Sequence, residues 1–226
     1  MFHVEHRRMD YHLHTNHSMD GRQTMPELCE TMLARGVQEI ALTEHIEPGH
    51  PGEGVDVPPV WADWFAEIAR CRAAYPALVI RSGIEIGDNP LCRTETNALL
   101  DTLPLDFRLL SLHLVNGVDC YDSEKYFTGK TRAQAYREYA EAKAESILDW
   151  EDFDSVAHIG YVAKFSIYTG KERALVYEDA PDAFDAIFRH VIALGKCIEV
   201  NTSGYATTGD TFAHSSLIRW YIELGG

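Results

Sequence analysis

Thr24-Met25-Pro26-Glu27-Leu28-Cys29-Glu30-Thr31-Met32-Leu33-Ala34-Arg35-Gly36 runs straight into Val37-Gln38-Glu39-Ile40-Ala41-Leu42-Thr43-Glu44-His45, and the two halves ask for different backbones. The first half predicts an amphipathic helix. Thr24 can cap its start, Pro26 sits early enough for its missing N–H to cost nothing, and Gly36 ends it. The second half contains the β-type stretch Glu39 to Leu42, so it predicts a strand that delivers Glu44-His45 to a following loop.

The same alternation recurs outward in both directions. Asp10 to His14 is short and extendable. A helix is expected over Trp61–Tyr75, and a strand from Leu78-Val79-Ile80 toward Gly83-Ile84-Glu85. Thr94–Leu103 reads as helix and Phe107–Leu112 as a strand ending on His113. A long polar loop comes next, then a helix over Thr131–Trp150, and Ser155-Val156-Ala157 ending on His158. Asp179–Leu194, closed by Gly195, is another helix, Cys197–Val200 another strand, and Phe212–Leu224 the last helix. Six strand–helix alternations predict an α/β fold with a parallel sheet, and this repetition favours a barrel over an open sheet. One domain over residues 1–226 is expected. The chain stops at Gly225-Gly226, where the alternation calls for another strand, so the barrel is expected to be incomplete at its C-terminal end.

Composition sets class rather than function: 46% hydrophobic, 24% charged and 11% aromatic residues suit a globular chain. A net charge of -15 disfavours a nucleic-acid partner, because backbone binding needs a basic surface that releases counterions. Any anionic substrate therefore needs cations gathered locally, and eleven histidines make bound metal the expected source. The five cysteines are scattered and form no CxxC pair, which fits reduced thiols. Met1 to Asp10 is charged without a signal-peptide core, and no apolar run approaches the ~20 residues of a membrane span. The expected setting is the cytoplasm, without membrane association.

Residues two apart on a strand share a face, so His12 and His14 can converge on one ion. Each later strand also ends on a potential ligand: Glu44-His45, Glu85, His113 and His158. In a parallel barrel those ends share one rim. For any single residue the local reading stands beside this one: a histidine bonded to a carbonyl, or a carboxylate capping the next helix. Their recurrence at equivalent places argues for metal. Imidazole and carboxylate donors without thiolate suit Zn, Mn or Fe. Glu85, between two histidine groups in sequence, is the natural bridge between two ions, an arrangement suited to phosphoester hydrolysis. GxSxG, GxxxxGK[ST] and HExxH are all missing from the chain.

Taken in order, Tyr11-His12-Leu13-His14-Thr15, Ser18-Met19-Asp20-Gly21, Leu42-Thr43-Glu44-His45, Gly83-Ile84-Glu85, Ser111-Leu112-His113, Ala157-His158-Ile159-Gly160-Tyr161 and Glu199-Val200-Asn201-Thr202-Ser203-Gly204 resemble the polymerase-and-histidinol-phosphatase (PHP) superfamily, in its histidinol-phosphate phosphatase branch. The resemblance implies a distorted (β/α)7 barrel holding two to three Zn, Mn or Fe ions. It implies a first ion on His12, His14 and Glu85, a second shared by Glu85 with His113 and His158, and a third on Asp20 and His45. Glu85, His113 and His158 would thus be catalytic as ligands, with Lys164, Asn201 and Ser203 on the substrate. His17 fits a ligand position less well than Asp20. Glu44 stands where the family usually has Asp and keeps the carboxylate.

The resemblance also implies a final Asp-x-His on a seventh strand, which would fall after Gly226, whether by natural absence or truncation. Lys164 stands near an expected Arg, and Tyr205-Ala206-Thr207 follows Ser203-Gly204 where the family often has a basic residue. The implied activity is hydrolysis of a small phosphomonoester, L-histidinol phosphate, in histidine biosynthesis. Alternatives are a phosphodiesterase or exonuclease of the same superfamily, or a metal-binding domain with impaired catalysis. A homodimer is allowed, with nothing in the sequence to decide it.

Overall fold

The structure is a computed structural model that describes residues 7–226, so the first six residues of the charged Met1–Asp10 opening lie outside the described residues. The chain divides into two compact units. The first comprises the residues up to Ile86 with Leu91–Leu109, and the second Gly87–Pro90 with Leu110–Gly226.

The first unit alternates β1 (Met9–Leu13), α1 (Met25–Ala34), β2 (Glu39–Ile46), α2 (Trp61–Ala74), β3 (Val79–Gly87, ending in the second unit), α3 (Arg93–Leu100) and the start of β4 (Phe107–Ser111). Helix α1 begins as its sequence demands: the Thr24 side chain accepts from the Glu27 N–H while Glu27 reaches back to the Thr24 N–H, a reciprocal cap. Gly36 ends it at φ +72°, in the left-handed region that glycine enters at no steric cost. Strands β1, β2 and β3 are parallel neighbours, and His45 of β2 lies opposite Glu85 of β3. The core is built from Met25, Leu28 and Met32 of α1, Ile40 and Leu42 of β2, and Trp64 and Ile68 of α2. Each such side chain contributes about 1.5–3 kcal/mol by leaving water.

The strands overrun their expected ends. Glu44-His45 lies inside β2 rather than in a loop after it, and β3 runs on past Glu85 to Gly87. Both strands are buried along most of their length, so the ladder continues through polar residues that strand propensity alone would end on.

The second unit opens with the end of β4 and then holds a hairpin, β5 (Leu114–Val115) and β6 (Val118–Asp119), inside the expected polar loop. It continues with α4 (Ser123–Phe127), α5 (Arg132–Leu148), β7 (Ser155–Val156), α6 (Tyr161–Lys164), α7 (Pro181–Ala193), β8 (Cys197–Ile198) and α8 (Ser215–Glu223). Its core includes Tyr126, Tyr136, Tyr139, Phe153, Phe184 and Phe188. Strands β7 and β8 pair in parallel, and the sheet order along the chain is β1-β2-β3-β4-β7-β8. The six expected strands are therefore the six of the sheet. All five cysteines are free thiols. Among the described residues no helix is long and apolar enough to cross a membrane.

Candidate metal centre

In the first unit the ends of β1, β2 and β3 gather five of the residues expected from the sequence. Glu85, only 1% exposed, is the focus. Its Oε2 lies 3.0 Å from His12 Nε2, 3.2 Å from His14 Nε2 and 3.4 Å from His45 Nδ1. The His14 and His45 rings stack in parallel at 4.3 Å, and His12 meets His14 edge-on at 5.1 Å. His14, Asp20 and His45 present ligand atoms within 4.8 Å of one another. Asp20 Oδ1 is 3.6 Å from His45 Nε2, while His45 Nδ1 also meets Glu47 Oε1 at 2.8 Å.

Electrostatics agree with that geometry. Burial pushes the Asp20 carboxyl upward, but the hydrogen bond to His45 and the charges of His14 and His45 outweigh it and bring it down to about 2. Burial opposes protonation of His45, yet the Glu85 charge and the Asp20 and Glu47 bonds raise it well above its usual range. Each group thus favours its charged form because opposite charge is concentrated on a few atoms. A divalent cation satisfies the same demand with imidazole nitrogens and carboxylate oxygens as donors, and this donor set fits Zn, Mn or Fe.

Two neighbours do other work. His17 bonds Glu67 of α2 at 2.7 Å, so this contact, not the Asp20 cluster, occupies it. Glu44 alternates with His45 along β2, and its buried carboxylate meets Thr15 and Ser18 instead of the imidazoles.

In the second unit His113, just after β4, and His158, just after β7, are both buried, with Nε2 atoms 3.4 Å apart. The Tyr161 ring lies against both, at 4.8 and 4.9 Å. The His158 N–H donates to Glu199 Oε2 at 2.5 Å, and Glu199 Oε1 accepts from the Asn201 amide at 3.0 Å. Asn201 Oδ1 in turn accepts the Ser203 N–H and O–H. Asn201 and Ser203 are thus tied to each other and to Glu199. Lys164 is exposed at the end of α6, its Nζ 5.3 Å from the centre of the Phe165 ring.

Sequence reading passed over two supporting residues here. It gives Glu199 no role, reading it as an acid inside the expected strand Cys197–Val200, at the head of the family-like stretch Glu199–Gly204. Lys143 gave no signal, because its position on polar α5 reads as solvent-facing; it is 1% exposed and donates to the carbonyl of Ala157, the residue before His158.

A mixed α/β fold with imidazoles and carboxylates gathered at the ends of parallel strands defines an α/β protein with a candidate metal centre at its strand ends. More narrowly, the chain belongs to the PHP domain family, which matches residues 10–203. It is 28% identical to the histidinol-phosphatase of Lactococcus lactis, over 97% of this chain and 81% of that protein. It is 26% identical to the probable histidinol-phosphatase of Clostridium acetobutylicum, over 96% and 82%. The crystal structure of the Lactococcus lactis histidinol phosphate phosphatase, complexed with zinc, L-histidinol and phosphate, superposes with a TM-score of 0.89, covering 97% of this chain and 82% of that one. The six-stranded α/β fold is therefore of the PHP barrel type.

Proposed function

We propose that this chain is a metal-dependent phosphomonoester hydrolase that converts L-histidinol phosphate and water to L-histidinol and phosphate, a step of histidine biosynthesis in the cytoplasm. One observation carries the reading: a buried Glu85 oxygen faces three imidazoles, in a chain similar over 97% of its length to a histidinol-phosphatase. Its five free thiols suit a reducing compartment.

The ligands would be His12, His14, Asp20, His45 and Glu85 of the first unit and His113 and His158 of the second, for two to three ions of Zn, Mn or Fe. When bound, such ions supply the positive charge and water activation that phosphoester cleavage needs. Glu85, His113 and His158 enter catalysis as ligands, not as proton carriers. Lys164 would meet the phosphate as a point charge, and Asn201, bonded to Glu199, and Ser203, bonded to Asn201, would bind the substrate. The water oxygen forms the new bond to phosphorus, the ester P–O bond breaks, and the departing alkoxide takes up the proton that the attacking water gives up, becoming L-histidinol.

The test is phosphate release by protein loaded with each metal in turn, on L-histidinol phosphate, a simple aryl phosphate and a dinucleotide. Release from L-histidinol phosphate, at least about tenfold faster than from the aryl ester, is expected, with no cleavage of the dinucleotide. Cleavage of the dinucleotide alone, or no release with any metal, would contradict the proposal.

A further inference from the structure

We propose that Glu44 is a positioning residue of the metal centre: a buried carboxylate that clasps the loop after β1 and fixes where His14 and Asp20 stand against His45. The inference rests on the metal reading above and concerns a residue outside the ligand set.

Glu44 is fully buried. Its Oε1 accepts the Thr15 O–H at 2.6 Å, its Oε2 accepts the Ser18 O–H at 2.5 Å, and the Thr15 N–H points between the two oxygens at 3.2 and 3.1 Å. The Trp64 indole N–H approaches Oε1 at 3.4 Å. Ser18 Oγ also accepts the backbone N–H of His45 at 3.0 Å. One carboxylate thereby holds Thr15, the neighbour of His14, and Ser18, two residues before Asp20, and through Ser18 it reaches the backbone of His45.

The loop closes tightly on this clasp. Ser18 N–H donates to the Thr15 carbonyl, Gly21 N–H to the Ser18 carbonyl and Asn16 N–H to the Gln23 carbonyl. Gly21 is required there, because a Cβ would fall 1.8 Å from the Thr15 oxygen. The Thr15, Ser18 and Trp64 groups that meet Glu44 are all donors, and an ionised carboxylate is the one side chain of this size that only accepts. A carboxamide of the same shape would turn an NH2 onto donors and leave at least one buried polar group unsatisfied.

The test compares the wild type with Glu44→Gln, Glu44→Asp and Ser18→Ala, the last cutting the link to His45 while leaving the carboxylate. In metal-free protein, amide exchange at Thr15 and His45 is expected to quicken by about 10- to 100-fold in Glu44→Gln, with Ile40 and Leu42 of the same strand unchanged. The aspartate, one carbon shorter, should fall between. Titration with Zn should show weaker binding in Glu44→Gln and Ser18→Ala. Unchanged exchange and unchanged Zn affinity in both would overturn the inference, and if Glu44→Gln does not fold, Ser18→Ala decides alone. A wild type that binds no Zn would overturn the metal reading, and the exchange comparison alone would then decide the clasp.

Discussion

Glu39 and Glu85 are buried carboxylates on neighbouring strands, and their partners give them opposite roles. Glu39 receives the Tyr11 O–H at 2.6 Å and the Arg81 guanidinium at 2.9 Å, so its charge is neutralised by fixed protein groups. Glu85 faces imidazoles, whose charge depends on a proton or a metal. The Tyr11 hydrogen bond, then the Arg81 bond, hold the Glu39 carboxyl below its ordinary 4.5 despite burial. A carboxylate lowered on folding stabilises the protein above that ordinary value, and the benefit is lost as pH falls through the folded one. Glu39→Gln is therefore expected to melt lower at neutral pH, the deficit shrinking in the acid range below 4.5; thermal melts across that range would check it, and a deficit independent of pH would contradict it. His12, His14, His45 and Glu85 were legible because ligand types recurred at strand ends. Glu44 was visible as a carboxylate, but its partners were not, since hydrogen bonds across some thirty residues leave no periodicity.

At the scale of elements, the sequence spoke clearly where local chemistry is self-sufficient. Helix α5 starts at Thr131, whose side chain accepts from the Gln134 N–H while Gln134 returns the bond. Thr131→Ala is expected to cost about 1 kcal/mol, read as a lower unfolding midpoint with unchanged denaturant slope. The β5–β6 hairpin was missed although Asn116-Gly117 signals it: both residues take positive φ, +52° and +77°, as a tight hairpin turn requires. Its strands are two residues each, too short to show alternation. Strand β8 is likewise two residues where four were expected: the Glu199 N–H still reaches the Val156 carbonyl at 2.8 Å, but from there the Glu199 side chain bonds the Asn201 side chain and the His158 N–H. Strands β2 and β3 erred the other way, carrying the pairing on through the ligands because the ladder outweighs the weak β preference of Glu and His.

For the molecule as a whole, the acidic balance and the candidate centre belong together. With 35 acidic against 20 basic residues, this chain offers an anionic phosphate ester little general attraction. On the proposed function, positive charge at the centre has to come from what its imidazoles and carboxylates collect, so the proposed activity requires metal. The central claim is that the groups around Glu85 hold divalent ions. Its most direct measurement is the metal content of purified protein by elemental analysis, wild type beside Glu85→Gln. The wild type is expected to keep about two to three equivalents of Zn, Mn or Fe through dialysis and the variant at most about one, because both ions attributed to Glu85 lose its charge. A wild type without bound metal, or a folded Glu85→Gln variant with the same content, would contradict the account.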